Sequence, residues 1–450
     1  MSHSNRACAV PKLWDPNVPF APSRLPFFYG WVIVLGATIG TLFSIPGQTM
    51  GFSVFTDVMM RELNLNRILL STAYCIGTVA SGLTLPWLGK IFDAWGARRM
   101  VVASSFATGL ILFYLSQSAQ LAHFLSSPFE AEIHPAISFV IIGLGFYMIR
   151  VSAQGVLTMS CRNAVGKWFD RKRGNAISAS QLLVSLGFSL APVVLLSMIN
   201  RFGYDGAWQI LGLLTLFVMV PIGWLIIRDN PEECGLAMDG AIGEQAPSSN
   251  LDMVIKRDFS RSEALRTVSF WSFNLSLAWV GLFVTAFTFH IESIGSDFGF
   301  DRQAIVEKFF PMAVCSVSTN LIFGMLSSRI RIKWLLLTMN LASVCGAIGL
   351  LFLTTPTGLW AYIIGNGMAG GGFVSIGGII WPRFFGRRWL GAVSGASMST
   401  IVIASGIGPL GFAISKHLTS SYEPALIASF IIPLLLAISS IWAENPQRKV

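Results

Sequence analysis

Charge is the scarcest feature of this chain. Lysine, arginine, aspartate and glutamate together make up 12% of its 450 residues, about half the ~25% usual in a soluble domain. With 53% hydrophobic residues, that shortage excludes an ordinary soluble fold and indicates a membrane protein. Carboxylates are missing from the depth of every long apolar run, so no buried acidic proton relay is on offer. Paired carboxylates, nucleophile–base spacings and a phosphate-binding glycine loop are missing too, so no enzyme, catalytic residue or cofactor is expected. The six cysteines (Cys8, Cys75, Cys161, Cys234, Cys315 and Cys345) are scattered, which leaves neither a disulfide framework nor a metal site. No soluble signalling domain accompanies the apolar runs, and a receptor is a remote reading. The first 25 or so residues contain no signal-peptide core, so the first apolar run is expected to direct insertion.

What the chain has instead is a series of apolar runs near the ~20-residue length that crosses a bilayer. Twelve are expected, at 28–55, 68–88, 99–118, 136–162, 174–199, 207–227, 268–290, 304–327, 333–353, 359–381, 389–415 and 422–442. Pro46 and Gly47 interrupt the first. A polar stretch divides them six and six. The expected organisation is a tail (1–27), a six-helix half (28–228), a linker (229–267), a second six-helix half (268–443) and a short tail (444–450). Ser260 and Glu263 have capping-box spacing and predict a short surface helix in the linker.

The halves echo each other. The basic turn Lys167-Trp168-Phe169-Asp170-Arg171-Lys172-Arg173 has a counterpart 216 residues on, Arg383-Phe384-Phe385-Gly386-Arg387-Arg388-Trp389. The same offset pairs Arg150 with Asn366 and Gly155 with Gly371, which suggests two parallel copies of one unit.

The formal charge of +9 is not a nucleic-acid footprint, because the basic residues sit in short loops. Counted by side, 24 fall with the tails and linker and 6 on the opposite side, with Arg150 left over inside the fourth run. This bias assigns both termini and the linker to the cytoplasm.

The loop after the second run reads Gly89-Lys90-Ile91-Phe92-Asp93-Ala94-Trp95-Gly96-Ala97-Arg98-Arg99. Its glycines permit a tight turn, and Asp93 can meet a helix N-terminus or an arginine in a contact that breaks when two halves rock. The stretch resembles a signature of the major facilitator superfamily, with Ala94 and Ala97 where a basic residue and an arginine are usual. Its counterpart, Gly324 to Arg329, has Ser328 in the acidic position, so any gate is expected to be asymmetric. Phe28-Tyr29-Gly30-Trp31, the Trp168–Gly174 turn and Arg228-Asp229-Asn230-Pro231-Glu232-Glu233-Cys234-Gly235 resemble the monocarboxylate and oxalate–formate branch. The resemblance implies an all-α membrane protein, twelve transmembrane helices in two pseudo-symmetric six-helix bundles. It also implies alternating access and a small organic anion as substrate.

An arginine in mid-span costs at least ~2.5–3.5 kcal/mol on insertion scales and should face protein or water. Arg150 could therefore grip a carboxylate or hold its helix to backbone carbonyls. Gln154 stands one turn further along. Gln48, Asn274, Asn320, Asn366 and Lys308 are the other candidate substrate contacts, although intramembrane amides also serve packing and lysine near a helix end snorkels. His290, Glu292 and Glu307 are the candidates for proton coupling, with anion exchange or uniport as alternatives. Gly89, Asp93, Gly96, Arg98, Arg99, Arg171, Arg173, Arg387 and Arg388 are expected to serve gating or structure. Pro192 and Pro409 are expected to bend the fifth and eleventh helices. The expectation is thus a monomeric, multi-pass transporter of the cytoplasmic (inner) membrane that meets lipid and a small organic anion. An exporter of drugs or other amphiphilic solutes is the alternative that 14 Trp and 34 Phe would also suit.

Overall fold

The structure, a computed structural model, describes residues 12–127, 133–240, 254–297 and 302–449. Among these, all regular structure is helical, and nine helices are long and apolar enough to cross a membrane. One of the nine, Arg173–Ile226, has 54 residues. At 1.5 Å per residue it would run ~80 Å, far beyond the ~30 Å apolar core of a bilayer. It folds back at Gly203, whose φ of 73° and ψ of −179° no side chain readily tolerates, and so supplies the fifth and sixth spans. The first span starts with Gly30–Phe43, breaks into a 3-10 turn at Ile45–Gly47 where Pro46 withholds its N–H, and resumes as Thr49–Ser53. The eighth is Arg302–Leu326. The others are Arg67–Trp95, Ala97–Ser116, Pro135–Trp168, Val268–Asp297, Ile332–Leu351, Pro356–Phe385, Leu390–Thr419 and Glu423–Ser440. Twelve spans result.

The fourth span is not a uniform α-helix. Arg150–Leu157 is wound as π-helix between two α-helical segments, a form that turns up mostly as short bulges at functional sites. Pro192 and Pro409 lie inside continuous helices.

Both tails and the linker gather at one end, here the tail end. Arg98 donates from Nε to Trp224 O and from its two terminal nitrogens to Asp15 O and Val18 O, at 2.7–3.0 Å. Arg228 adds Pro16 O and Val18 O, and Arg99 lies over the Trp14 ring. Arg98 and Arg99, expected to serve gating or structure, strap the N-terminal segment across the first bundle. Gly96, at φ 85°, packs against the Asp229 carboxylate, which accepts the Arg98 N–H at 2.8 Å.

The linker contributes two further carboxylates in matching places. Asp239 accepts from the N–H groups of Asp170, Arg171 and Lys172 at 3.1, 2.8 and 3.2 Å. Asp258 accepts from those of Arg387 and Arg388 at 2.8 and 3.1 Å. Each linker carboxylate thus holds one copy of the repeated basic turn, where a helix N-terminus favours negative charge. The short helix Arg261–Leu265 opens with the capping box of Ser260 and Glu263.

The bundles meet along two seams. Between the second and eleventh spans, a methyl on Gly89 would lie 2.1 Å from Gly391 O; between the fifth and eighth, one on Gly174 would lie 2.1 Å from Gly324 O. Glycine is what allows backbones this close. At the tail end of the first seam, Asp93 accepts the Gly391 and Ala392 N–H groups at 2.6 and 2.7 Å. Along the second seam, Ser178 donates to Asn320 O at 2.9 Å. Arg387 adds a bond to Lys167 O at 3.0 Å and an ion pair with Glu232 at 2.8 Å. Arg173 stays within its half, pairing with Asp170 at 3.6 Å and donating to Gly166 O.

Candidate functional site

The apolar run of the fourth span ends near residue 162, and on that basis Arg162 counts among the loop cations. The helix runs on to Trp168, so Arg162 lies about 9 Å inside its tail end at 1.5 Å per residue. It sits at the junction of the bundles, between two small cavities of about 20 and 30 Å³. The first is walled by Thr158 and Asn163 on one side and Leu277, Trp381, Ser394 and Ser397 on the other. The second is walled by Thr41, Cys161, Ser180 and Gln181 of the first bundle, with Val374 of the second. The first, fourth, seventh and tenth spans converge here, with the fifth and eleventh beside them.

Among the described residues, no hydrogen bond, ion pair or ring contact is made by Arg162. Its surroundings give a reason why it can stand open. A methyl on Gly377 would come 3.7 Å from Arg162 Nη1, so this glycine leaves space beside the cation. The repeat-related position is Gly378, which packs on Ile177. A cation therefore stands on one side only of the pseudo-twofold axis. Around it, Asn163 Nδ2 donates to Ser394 Oγ at 2.7 Å across the junction, and the buried Ser397 hydroxyl has no partner. A five-donor fork thus stands beside small polar groups, with Leu277 and Trp381 in the wall of the same cavity.

Arg150 is differently placed. It is 1% exposed and enclosed within the first bundle. Nε donates to Thr78 Oγ1 at 3.1 Å, Nη1 to Gly47 O at 3.3 Å and more distantly to Thr49 Oγ1 at 3.5 Å. The guanidinium carbon lies 4.8 Å from the centre of the Tyr74 ring. The carbonyl freed at the break of the first span is thus taken by the fourth. These bonds brace Arg150 to the backbone and hydroxyls of its own bundle, and its buried Nη2 has no partner. Gln154 Oε1 is buried without a partner.

The amides mostly tie helices together. Gln48 Nε2 donates to Ser44 Oγ and Thr158 Oγ1 at 3.1 and 3.3 Å, reaching the wall of both small cavities. Asn274 Nδ2 donates to Thr400 Oγ1 at 3.0 Å. Asn366 Nδ2 donates to Tyr362 O at 3.1 Å and borders a separate, water-sized space inside the second bundle. Asn320 Oδ1 is buried without a partner. His290 is held near the far end, with Nε2 2.9 Å from Pro409 O and Nδ1 3.2 Å from the Tyr422 hydroxyl. The side chains of Glu292, Glu307 and Lys308 lie outside the described residues. Among the described residues, no group of three or more His, Cys, Asp or Glu could hold a metal ion.

A larger cavity of about 200 Å³ lies towards the far end, between the broken first span, the second span and the seventh. Thr49, Ser71, Tyr74 and Thr288 give it hydroxyls; Phe146 and Phe289 give it apolar walls. Tyr74 and Phe289 come from different bundles, and their rings are 5.8 Å apart.

Comparison with known proteins bears on what such a scaffold does. A family model described as Major Facilitator Superfamily matches residues 37–409. An uncharacterised MFS-type transporter of Escherichia coli (strain K12), YhjX, is 25% identical over 392 residues, 84% of this chain and 86% of that protein. Among solved structures, a bacterial homologue of the iron transporter ferroportin in an outward-facing state superposes with a TM-score of 0.66 at 14% identity, covering 91% of this chain and 99% of that one. The human organic anion transporter MFSD10 superposes with a TM-score of 0.60 at 14% identity, covering 91% and 99%.

Proposed function

The chain belongs to the major facilitator superfamily of transporters, and on that premise we propose that it moves a small organic anion, monocarboxylate-like, by alternating access between its two bundles. One observation carries the reading: the Arg162 guanidinium, at the bundle junction, has no protein partner among the described residues while cavities open on both its faces. A cation held there without a counter-ion is costly, and a bound carboxylate would offset that cost with two parallel charge-assisted bonds. Asn163, Ser394 and Ser397 would take the remaining polar atoms, with Leu277 and Trp381 against the carbon skeleton. Because Asn163 and Ser394 belong to different halves, a ligand there is sensed by both.

In this reading the tail end faces the cytoplasm, as the lysine and arginine bias predicts, and the protein works as a monomer in the inner membrane. Proton symport through His290 and exchange for a second anion are the two coupling schemes that fit a site with one fixed charge.

Purified protein screened by thermal shift against monocarboxylates, dicarboxylates and neutral solutes tests the class, since a ligand stabilises by RT ln(1 + [L]/Kd). A monocarboxylate should raise the melting temperature most. In proteoliposomes Arg162→Gln should abolish its uptake, and Arg162→Lys should weaken binding about tenfold through loss of one charged hydrogen bond. Uptake unchanged in Arg162→Gln would overturn the proposal.

A further inference from the structure

We infer a second anion site in the 200 Å³ cavity, where the Tyr74 hydroxyl receives the head of a single-ring aromatic carboxylate and Arg150 supplies the charge from behind.

The inference starts from hydrogen-bond direction. Arg150 has only N–H groups to offer, so Thr49 Oγ1, 3.5 Å from its Nη1, faces it as an acceptor. The Thr49 hydrogen is then free for Tyr74 Oη, 2.8 Å away. Either hydroxyl could donate in that pair; the site uses the arrangement in which Thr49 donates, which leaves the Tyr74 hydrogen for the cavity. Both Thr49 and Tyr74 line the cavity, and an anion there takes that hydrogen. A hydrogen-bond chain that begins on a cation is polarised along its length and strengthens the last donor. The guanidinium also sits 4.8 Å from the Tyr74 ring, and its buried Nη2 has no hydrogen-bond partner. Among the described residues, no carboxylate lines the cavity or pairs with Arg150. Arg150 therefore carries its charge behind the cavity wall without a paired carboxylate among the described residues.

The rest of the lining sets the ligand's body. Phe52, Phe146 and Phe289 present rings, while Ser71 and Thr288 stand at the polar side. The volume is below the ~300–1,000 Å³ of drug-sized pockets, which suits one aromatic ring with a carboxylate and excludes large amphiphiles. Since Tyr74 and Phe289 belong to different bundles, the ligand would bridge them at the far end. Its site is separate from Arg162, and its failure and the failure of the Arg162 reading are told apart below.

The test uses the full chain in nanodiscs, with native cysteines changed to serine and Thr288→Cys as reporter. Sodium benzoate should slow maleimide labelling of the reporter, and benzyl alcohol at the same concentration should not. Tyr74→Phe should raise the benzoate concentration needed by about tenfold or more, the loss expected for one hydrogen bond to a charged group. Thr49→Val, which cuts the chain and leaves Tyr74 in place, should act likewise, and Thr49→Ser should restore protection. Protection should survive Arg162→Gln. The inference fails if benzoate gives no protection, if benzyl alcohol protects as well, or if Tyr74→Phe and Thr49→Val both match the parent. It also fails if protection disappears in Arg162→Gln, which would assign the effect to the junction instead.

Discussion

Replacing Asp93 by asparagine should loosen the tail end of the bundle junction, and the geometry says by how much. The carboxylate accepts two N–H groups, from Gly391 at 2.6 Å and Ala392 at 2.7 Å, at the start of the eleventh span. An asparagine has one acceptor oxygen, and its NH2 would face the second N–H. One charged hydrogen bond is therefore lost, about 1.5–3 kcal/mol, together with the charge's attraction to a helix N-terminus, about 0.3–1 kcal/mol. A weakening of about 2–4 kcal/mol follows, and at about 1.4 kcal/mol per decade the open-to-closed ratio rises by roughly 30- to 1,000-fold. Ser397, buried beside Arg162 with an unpartnered hydroxyl, is the place to read it. In an otherwise cysteine-free chain, Ser397→Cys should be labelled by an impermeant thiol reagent at least about tenfold faster in inside-out vesicles once Asp93→Asn is added. Labelling in right-side-out vesicles should slow. Equal rates with and without Asp93→Asn would refute the latch; acceleration confined to right-side-out vesicles would refute the assigned orientation.

Gly174→Ala puts a methyl 2.1 Å from Gly324 O and 2.7 Å from Ser327 Oγ, so the fifth and eighth spans must separate. Overpacking of this kind costs about 1–3 kcal/mol and should both lower the melting temperature and speed Ser397→Cys labelling from the cytoplasmic side; a variant that melts and labels like its parent would show the seam is not closed. Glu444, hydrogen-bonded by Lys333 and near Arg331, has its carboxyl held below the usual glutamate range. A lowered folded-state pKa stabilises above the unfolded value, roughly 4.3, and the gain is lost as pH falls through the folded value. Glu444→Gln should therefore melt below the parent at pH 7, with the gap shrinking as pH falls below roughly 4.3 towards the lower folded-state value; a gap that does not change with pH would refute the pairing.

The twelve spans were legible because bilayer thickness fixes the length of an apolar run. Asp93 was legible because a carboxylate between glycines at a helix end has few other uses. Arg150 drew attention because it interrupts an apolar run, yet hydropathy cannot tell a wall facing a cavity from the inside of one bundle, and the side chain turned to Gly47 and Thr78. Arg162 was passed over for the converse reason. The apolar pattern stops at Arg162-Asn163, but it stops because the helix leaves lipid for protein, and the helix continues to Trp168. The signal was present in the repeat: the 216-residue offset pairs Arg162 with Gly378, so this cation has no counterpart in the second half. For Arg98 the choice between gating and structure was not legible, because a basic residue at a loop does not announce whether it reaches across a seam or back to its own tail.

The two linker aspartates carry an engineering consequence. Asp239 and Asp258 are each committed to the basic turn of one bundle, and eighteen residues lie between them, a tether that reaches up to roughly 65 Å fully extended. The Arg387 contacts and the two seams join the bundles directly. The stretch between the aspartates is accordingly the place to cut or to insert: two separately encoded pieces would each retain their own clamp, and a reporter domain spliced there would ride on the transporter without loading its moving parts.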